Sequence, residues 1–179
     1  LVDRSQADLG QVLIAGNVAH NDGGGVFGDI NSTVTITNGA ILANEADDWG
    51  GGIYSSGHSM VLTNVDVSNN DAGSYGDGVF ATVVPEFFHC NAWGNGDNYH
   101  FYGGGVPDPT GTDGNIEAPS GYLDTLHADP LLWDLHLDLA SQLVDGGAIS
   151  LVDPDSSPSD IGIYGGLDAG TWDLDWDGD

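Results

Sequence analysis

The sequence of 179 residues contains no lysine and a single arginine, Arg4, against 28 acidic residues. The resulting formal charge of −27 excludes the attraction to phosphate on which binding to nucleic acids and anionic membranes depends. Its one cysteine, Cys90, cannot form a disulfide within the chain. No apolar run approaches the roughly 20 residues of a membrane-spanning helix, so we expect no membrane insertion.

The acidic residues are almost all aspartates, since only Glu45, Glu86 and Glu117 are glutamates. Aspartate favours turns and metal-binding loops, whereas glutamate favours helix surfaces. Together with 29 glycines, this bias indicates a folded, turn-rich chain that binds divalent cations. A disordered acidic segment or a halophilic surface explains the composition less well.

Three segments form an internal repeat: residues 14–27, 41–54 and 67–80. Each begins with an apolar residue, has asparagine at its fourth position and ends on a glycine followed by an apolar pair. We predict a fourth copy at Gly103-Gly104-Gly105-Val106, which spaces the last glycines by 27, 26 and 27 residues. A period of this length is typical of a solenoid.

The apolar stretches are short, β-branched and alternating, which is typical of strands. Three short strands with turns fill a period of 26–27 residues, so we predict an all-β, parallel β-helix with one repeat per coil. Equivalent side chains should then stack in ladders along the axis. The predicted ladders are Val26/Ile53/Val79, Phe27/Tyr54/Phe80 and Asn17/Asn44/Asn70.

These repeats also carry a resemblance to a family. GGGVF and GGGIY, with the IxxN or VxxN that precedes them, resemble the GGxI and FxxN repeats of polymorphic outer-membrane proteins and related bacterial surface proteins. Residues 129–132, 137–147 and 159–166 resemble the segment that closes those helices, although Gln142 stands where the family usually has proline. The resemblance implies a right-handed, single-stranded parallel β-helix at the bacterial cell surface, in an extracellular setting. Because the family is diverse in function, the resemblance supports a fold and a location rather than an activity.

We accordingly predict a β-helix over residues 1–166 with four repeat coils in 10–106 and a closing segment over 107–166. We expect the closing segment to fold back over the end or the side of the coils. An acidic tail follows over 167–179. The first coil has no evident cap, so we expect upstream coils or a neighbouring molecule to cover it.

The tail contains the candidate metal ligands Asp173, Asp175, Asp177 and Asp179, with Gly178 at the sixth position of the motif. Alternating oxygens around a bend at this glycine match the first seven positions of a calcium loop, and calcium accepts many oxygen ligands in flexible geometry. The chain stops before a bidentate glutamate, so water, a partner or an upstream acid must complete the coordination. A solvated acidic terminus is the alternative.

Other candidate sites have weaker patterns. The pairs Asp153/Asp155 and Asp108/Asp113 are alternative calcium ligands but are more typical of turns. His89, Cys90 and His100 could bind a transition metal, although packed histidines and a buried small cysteine are the favoured interpretation.

Parallel β-helices include pectate lyases and polygalacturonases, and Asp47-Asp48 with Gly57-His58 faintly resembles the latter. The Arg-x-Lys of those hydrolases and the arginine base of those lyases have no counterpart here, so we expect no catalytic site.

The aromatic residues Trp49 and Tyr75 occupy equivalent positions in successive repeats, and a second aromatic group spans residues 87–102. An exposed ladder would stack sugar rings, whereas the favoured interpretation is packing on the coil exterior beneath residues 107–128. The sequence therefore predicts a non-catalytic, calcium-stabilised structural or adhesive protein. It would self-associate into a surface fibre or layer, or bind a neighbouring surface protein. The alternative is a carbohydrate-binding or polysaccharide-degrading β-helix.

Overall fold

The computed structural model describes residues 5–57 and 59–167, which form an all-β parallel solenoid, as predicted; it has about three turns rather than four. Within these residues the only helix is a short 3-10 helix, Pro130–Leu132. The strands are Gln6–Ala15 (β1), Val18–Ala19 (β2), Val26–Gly28 (β3), Thr33–Leu42 (β4), Glu45–Ala46 (β5), Ile53–Ser55 (β6), Ser59–Ser68 (β7), Asp71–Ala72 (β8), Val79–Ala81 (β9), Glu86–Phe88 (β10), Asn91–Trp93 (β11), Tyr99–Phe101 (β12), Tyr122–Asp124 (β13) and Asp134–Leu137 (β14).

Strands one coil apart pair in parallel and form three sheets. The long sheet has the order β1-β4-β7-β10, with β11 also on β7; the second is β3-β6-β9-β12 and the short one β2-β5-β8. The predicted registers are confirmed: Val26 pairs with Ile53 and Ile53 with Val79. These residues and the inward apolar side chains of β4 and β7 form the main core inside the coils.

The predicted asparagine ladder is confirmed and extends by one residue, to Asn95. Each side-chain amide donates to the Oδ1 atom of the next, at 3.0 Å from Asn17 to Asn44, 3.0 Å from Asn44 to Asn70 and 3.1 Å from Asn70 to Asn95. The same Oδ1 atoms accept the backbone N–H of the preceding asparagine. The ladder thus satisfies polar groups at an inner bend that no strand pairing reaches.

The predicted fourth copy of the repeat at Gly103 is wrong. Strand β12 pairs Tyr99 with Val79 and His100 with Phe80, so Tyr99 and His100 take the places of the apolar pair. The glycines 103–105 follow this strand in a turn, where the N–H of Gly104 donates to the carbonyl oxygen of Phe101. The last coil is therefore shorter than the others, and the sequence spacing extended the period one coil too far.

The closing segment lies in two places. Residues 111–118 lie along β10 and β11, where Ile116 bridges Asn91 and Asn115 Oδ1 accepts the N–H of Cys90. Residues 121–166, which we call the lateral lobe, include the antiparallel pair β13-β14 and lie on the outer face of the long sheet. There Leu135 and Ile163 pack on Ala40 and Leu42 as a second core.

Candidate functional site

The four predicted calcium ligands, Asp173, Asp175, Asp177 and Asp179, lie outside the described residues, so calcium binding by the tail stays a prediction. Within residues 5–57 and 59–167, no three His, Cys, Asp or Glu side chains come together as a metal site. Two of the alternative calcium ligands, Asp155 and Asp108, instead hold turns through hydrogen bonds. Asp155 accepts the N–H and hydroxyl of Ser157 at 2.8 and 2.6 Å, and Asp108 accepts the N–H of Thr110 at 2.7 Å.

Cys90 and His100 lie on opposite sides of the coil wall. Cys90 is buried in the main core, where burial raises the pKa of its thiol to about 12. His100 belongs to the outer face and stacks on Phe80. His89 points elsewhere, with Nδ1 3.1 Å from the carbonyl oxygen of Gly146. The transition-metal interpretation of these three residues is therefore wrong, and Cys90 packs as the small apolar residue that was favoured.

Asp47 and Asp48 are both exposed and lie in the turn after β5. The Asp47 carboxylate is 3.4 Å from Nδ1 of His20, a contact between two largely solvated groups. Such a pair is typical of a surface turn.

Four rings stack along the outside of the solenoid: Phe27, Tyr54, Phe80 and His100. Their centroids are 5.1, 5.5 and 5.5 Å apart and their planes tilt by 4–6°. Trp49 adds a further ring, 5.1 Å from that of Phe80. We call these five residues the outer ring stack. The column of Phe27, Tyr54, Phe80 and His100 follows from the parallel register, because each is the second residue of its strand, β3, β6, β9 or β12.

The faces of the inner rings are covered by their neighbours, which leaves Tyr54 and Phe80 only 9% and 2% exposed. Phe27, at the first coil, is 53% exposed because no ring covers its outer face among the described residues. Most of this aromatic surface therefore packs on itself. Phe87 and Phe101 differ from the prediction, since they are buried in the main core rather than packed on the exterior.

The first coil presents an open end. Strands β1, β2 and β3 are each the last strand of their sheet within the described chain. Leu9, Val12 and Ile14 are only partly buried, whereas Ile36 and Ile41, which pair with Leu9 and Ile14 one coil further on, are fully buried. At this coil the strand edges are therefore unpaired, the apolar side chains are only partly covered and the last ring of the outer ring stack is exposed on one face, within the described chain.

A buried carboxyl group, Asp66, is a feature that the sequence reasoning missed. It lies on the outward face of β7 beneath the closing segment and is fully buried. Oδ1 accepts hydrogen bonds from the Ser68 hydroxyl and, at 2.8 Å, from the Asn91 amide. Oδ2 lies near the buried hydroxyl of Tyr122, but neither atom completes a well-aligned hydrogen bond within the described part of the chain.

Burial raises the pKa of Asp66, because no basic group compensates its charge. A signal for this residue was present in the register: Asp66 pairs with Ala40, which pairs with Leu13. Two apolar residues in the same outward column suggest that this face of the sheet is covered. The segment that covers it is known only from the structure.

A second carboxyl group with a raised pKa, that of Asp160, lies within the lateral lobe. Asp160 Oδ1 accepts the N–H of Asp145 at 2.8 Å, and its own N–H donates to Asp153 Oδ2 at 3.2 Å. Burial, together with the charges of Asp153 and Asp145, raises the pKa of Asp160 to about 6.

No helix in the described part of the chain is long and apolar enough to cross a membrane. No family model, no curated protein and no solved structure matches the chain. The likeness of its repeats to the bacterial surface proteins therefore remains a prediction from the motifs.

Proposed function

We propose that this chain is a non-catalytic structural β-solenoid of a bacterial cell surface, whose first described coil is completed by strand pairing, either with coils upstream in a longer chain or with a second copy. The observation that carries the proposal is the coincidence of three unfinished features at that end: the strand edges, the core and the outer ring stack. Unpaired strand edges with apolar neighbours are templates for further strand pairing.

A second copy offers the same edge and therefore fits it. Two β1 strands related by a twofold axis would pair antiparallel, and the exposed faces of two Phe27 rings would meet, as in other isologous interfaces. Residues 111–118 cover the long sheet at its opposite end. A fibre or layer would need a further contact, such as one made by the acidic tail.

The second candidate is carbohydrate binding. Tyr75 and Tyr102 are 53% and 73% exposed on the same side as the outer ring stack, and Tyr75 also contacts His100 at 4.6 Å between centroids. Their free faces could stack on sugar rings. We place this second because most of the aromatic surface is already used in ring–ring packing.

Replacing Phe27 by glutamate tests the coil-end interface. We expect the variant to associate about tenfold more weakly or worse, because ring stacking contributes about 1 kcal/mol and two like charges would meet at the twofold axis. Light scattering over a concentration series measures this. Phe88→Glu is the matched control, since it adds the same charge on β10, away from the open end, and should leave association unchanged.

Equal dissociation of both variants would contradict an interface at the first coil. A wild-type chain that is monomeric at every concentration, with and without calcium, would contradict self-association and favour the carbohydrate candidate.

The calcium-binding tail is tested separately by replacing Asp175 and Asp177 with asparagine. We expect calcium affinity measured by titration calorimetry to fall at least about tenfold, because each change removes a charged ligand. Asp108→Asn and Asp155→Asn are controls, since these side chains hold turns. If the tail assists assembly, chelation should also shrink the particles. Unchanged affinity in the tail variant would refute the assignment.

A further inference from the structure

We propose that the lateral lobe is a pH-sensitive latch, docked on the solenoid while Asp66 and Asp160 are uncharged and loosened when they ionise. This inference is independent of the proposed function. It rests on how the lobe is attached and on the lack of a lysine or arginine beside the two acids within residues 5–57 and 59–167.

The lobe is attached to the solenoid around one residue of β7, Asn64. The Asn64 amide donates to the Ser159 hydroxyl at 3.1 Å, and its Oδ1 accepts the N–H of Ala148 at 2.8 Å. The carbonyl oxygen of Asn64 accepts the N–H of Gly162 at 3.0 Å. One further contact joins His89 Nδ1 of the solenoid to the carbonyl oxygen of Gly146 at 3.1 Å. The rest of the attachment is the small second core, so modest electrostatic changes can shift the docking equilibrium of the lobe.

Asp66 lies two residues from Asn64 and is covered by the closing segment. The titratable groups around it are Cys90, Tyr99 and Tyr122, and burial raises the pKa of each, so all three are neutral at physiological pH. The sequence has no lysine, and Arg4 lies outside the described residues. An ionised Asp66 would therefore be a buried charge without a counterion, which is strongly unfavourable.

A protonated Asp66 removes this conflict. The Tyr122 hydroxyl and Oδ2 can share a hydrogen in either protonation state, so protonation removes the unbalanced charge while Oδ1 keeps its bonds to Ser68 and Asn91. The two buried oxygen atoms that lack a well-aligned bond would satisfy one another. Tyr122 begins β13 and packs on the second core, so this bond would join the lobe to the solenoid.

Asp160 acts in the same direction within the lobe. Its carboxyl faces Asp145, Asp153 and Asp155, all of them acids, so ionisation adds repulsion to a cluster that is already negative. A raised pKa means that the folded state binds the proton more tightly than the unfolded state. The stabilisation is therefore complete below about pH 4 and is lost as the pH rises to about 6.

Two histidines also lie at the lobe, and imidazole is titratable in this pH range. His89, on the solenoid, has Nδ1 3.1 Å from the carbonyl oxygen of Gly146 in the lobe. His136, on β14, stacks on Tyr164 with 4.5 Å between ring centroids and pairs with Asp134. Controls must therefore separate both histidines from the two acids.

Hydrogen–deuterium exchange of the full chain between pH 5 and pH 8 tests the latch, with rates corrected to protection factors. We expect protection of peptides within 121–166 to fall at least about tenfold at pH 8, since one unit of pKa shift corresponds to a factor of ten. Peptides of β4 and β7 should change little. The double variant Asp66→Asn, Asp160→Asn should keep high protection at both pH values.

Asp71→Asn, His89→Gln and His136→Gln are the controls, and all three should retain the wild-type pH response. Equal protection of the wild-type lobe at pH 5 and pH 8 would overturn the proposal, whether or not any variant folds. It would also be overturned if the response persisted in the double variant or disappeared in His89→Gln or His136→Gln.

Discussion

Replacing Asn70 by alanine is expected to lower the free energy of unfolding by about 4 kcal/mol, since each buried polar group left without a partner costs about 1–3 kcal/mol. Asn70 Oδ1 accepts the backbone N–H and the side-chain amide of Asn44 at 2.9 and 3.0 Å. Its own amide donates to the carbonyl oxygen of Ile41 and to Asn95 Oδ1. Chemical denaturation monitored by circular dichroism measures the loss.

Asn17→Ala is the matched control, because Asn17 belongs to the same ladder but lies exposed at its open end. Its side chain donates one hydrogen bond, to Asn44 Oδ1. We expect a loss of no more than about 1 kcal/mol. If Asn70→Ala lost no more stability than Asn17→Ala, the buried hydrogen bonds of the ladder would contribute little to the free energy of unfolding.

Replacing Gly52 by alanine is expected to cost about 3 kcal/mol or more, at the upper end of overpacking. A Cβ atom at this position would lie 2.6 Å from the carbonyl oxygen of Gly78 and 2.9 Å from the side-chain nitrogen of Asn70. Both belong to the next coil, so relief requires the coils to separate. A thermal melt should show a much lower midpoint or no cooperative transition.

Gly10→Ala provides the contrast, because a Cβ at Gly10 would meet nothing within 4 Å. This glycine lies in β1 at the open end, so the substitution should be neutral or slightly stabilising, since alanine restricts the unfolded chain. A stable Gly52→Ala protein would show that the coils are looser than the packing indicates.

The periodic features could be predicted because each depends on residues that recur. Ile14, Ile41 and Val67 align in the repeat, and this alignment determines the pairing of β1 with β4 and of β4 with β7. The asparagine ladder followed from the same alignment, since equivalent residues in a parallel solenoid must stack. The repeat also places its glycines at equivalent positions, but only the structure shows that Gly52 is required for space, whereas Gly50, with φ 68°, is required for the turn.

The non-periodic features could not be predicted in the same way. Gly103 imitates the repeat, but strand pairing ends the last coil at Tyr99–Phe101, because backbone hydrogen bonds and not motif letters set the register. The buried state of Asp66 depends on residues 118–122, more than fifty positions later in the chain. A strand residue with an outward side chain is ordinarily solvated, and no local pattern announces the segment that covers it.

The sequence by itself determined the solenoid, its period and its inner ladders, because a repeated pattern of strands and glycines permits only stacked coils. It also determined the excess of negative charge and the absence of lysine, which leave no basic partner for a buried acid. Only the tertiary structure decided which aromatic faces are covered and where the closing segment docks. These depend on contacts between distant residues that do not repeat, and there the chemistry of Phe27, Asp66 and Asp160 arises.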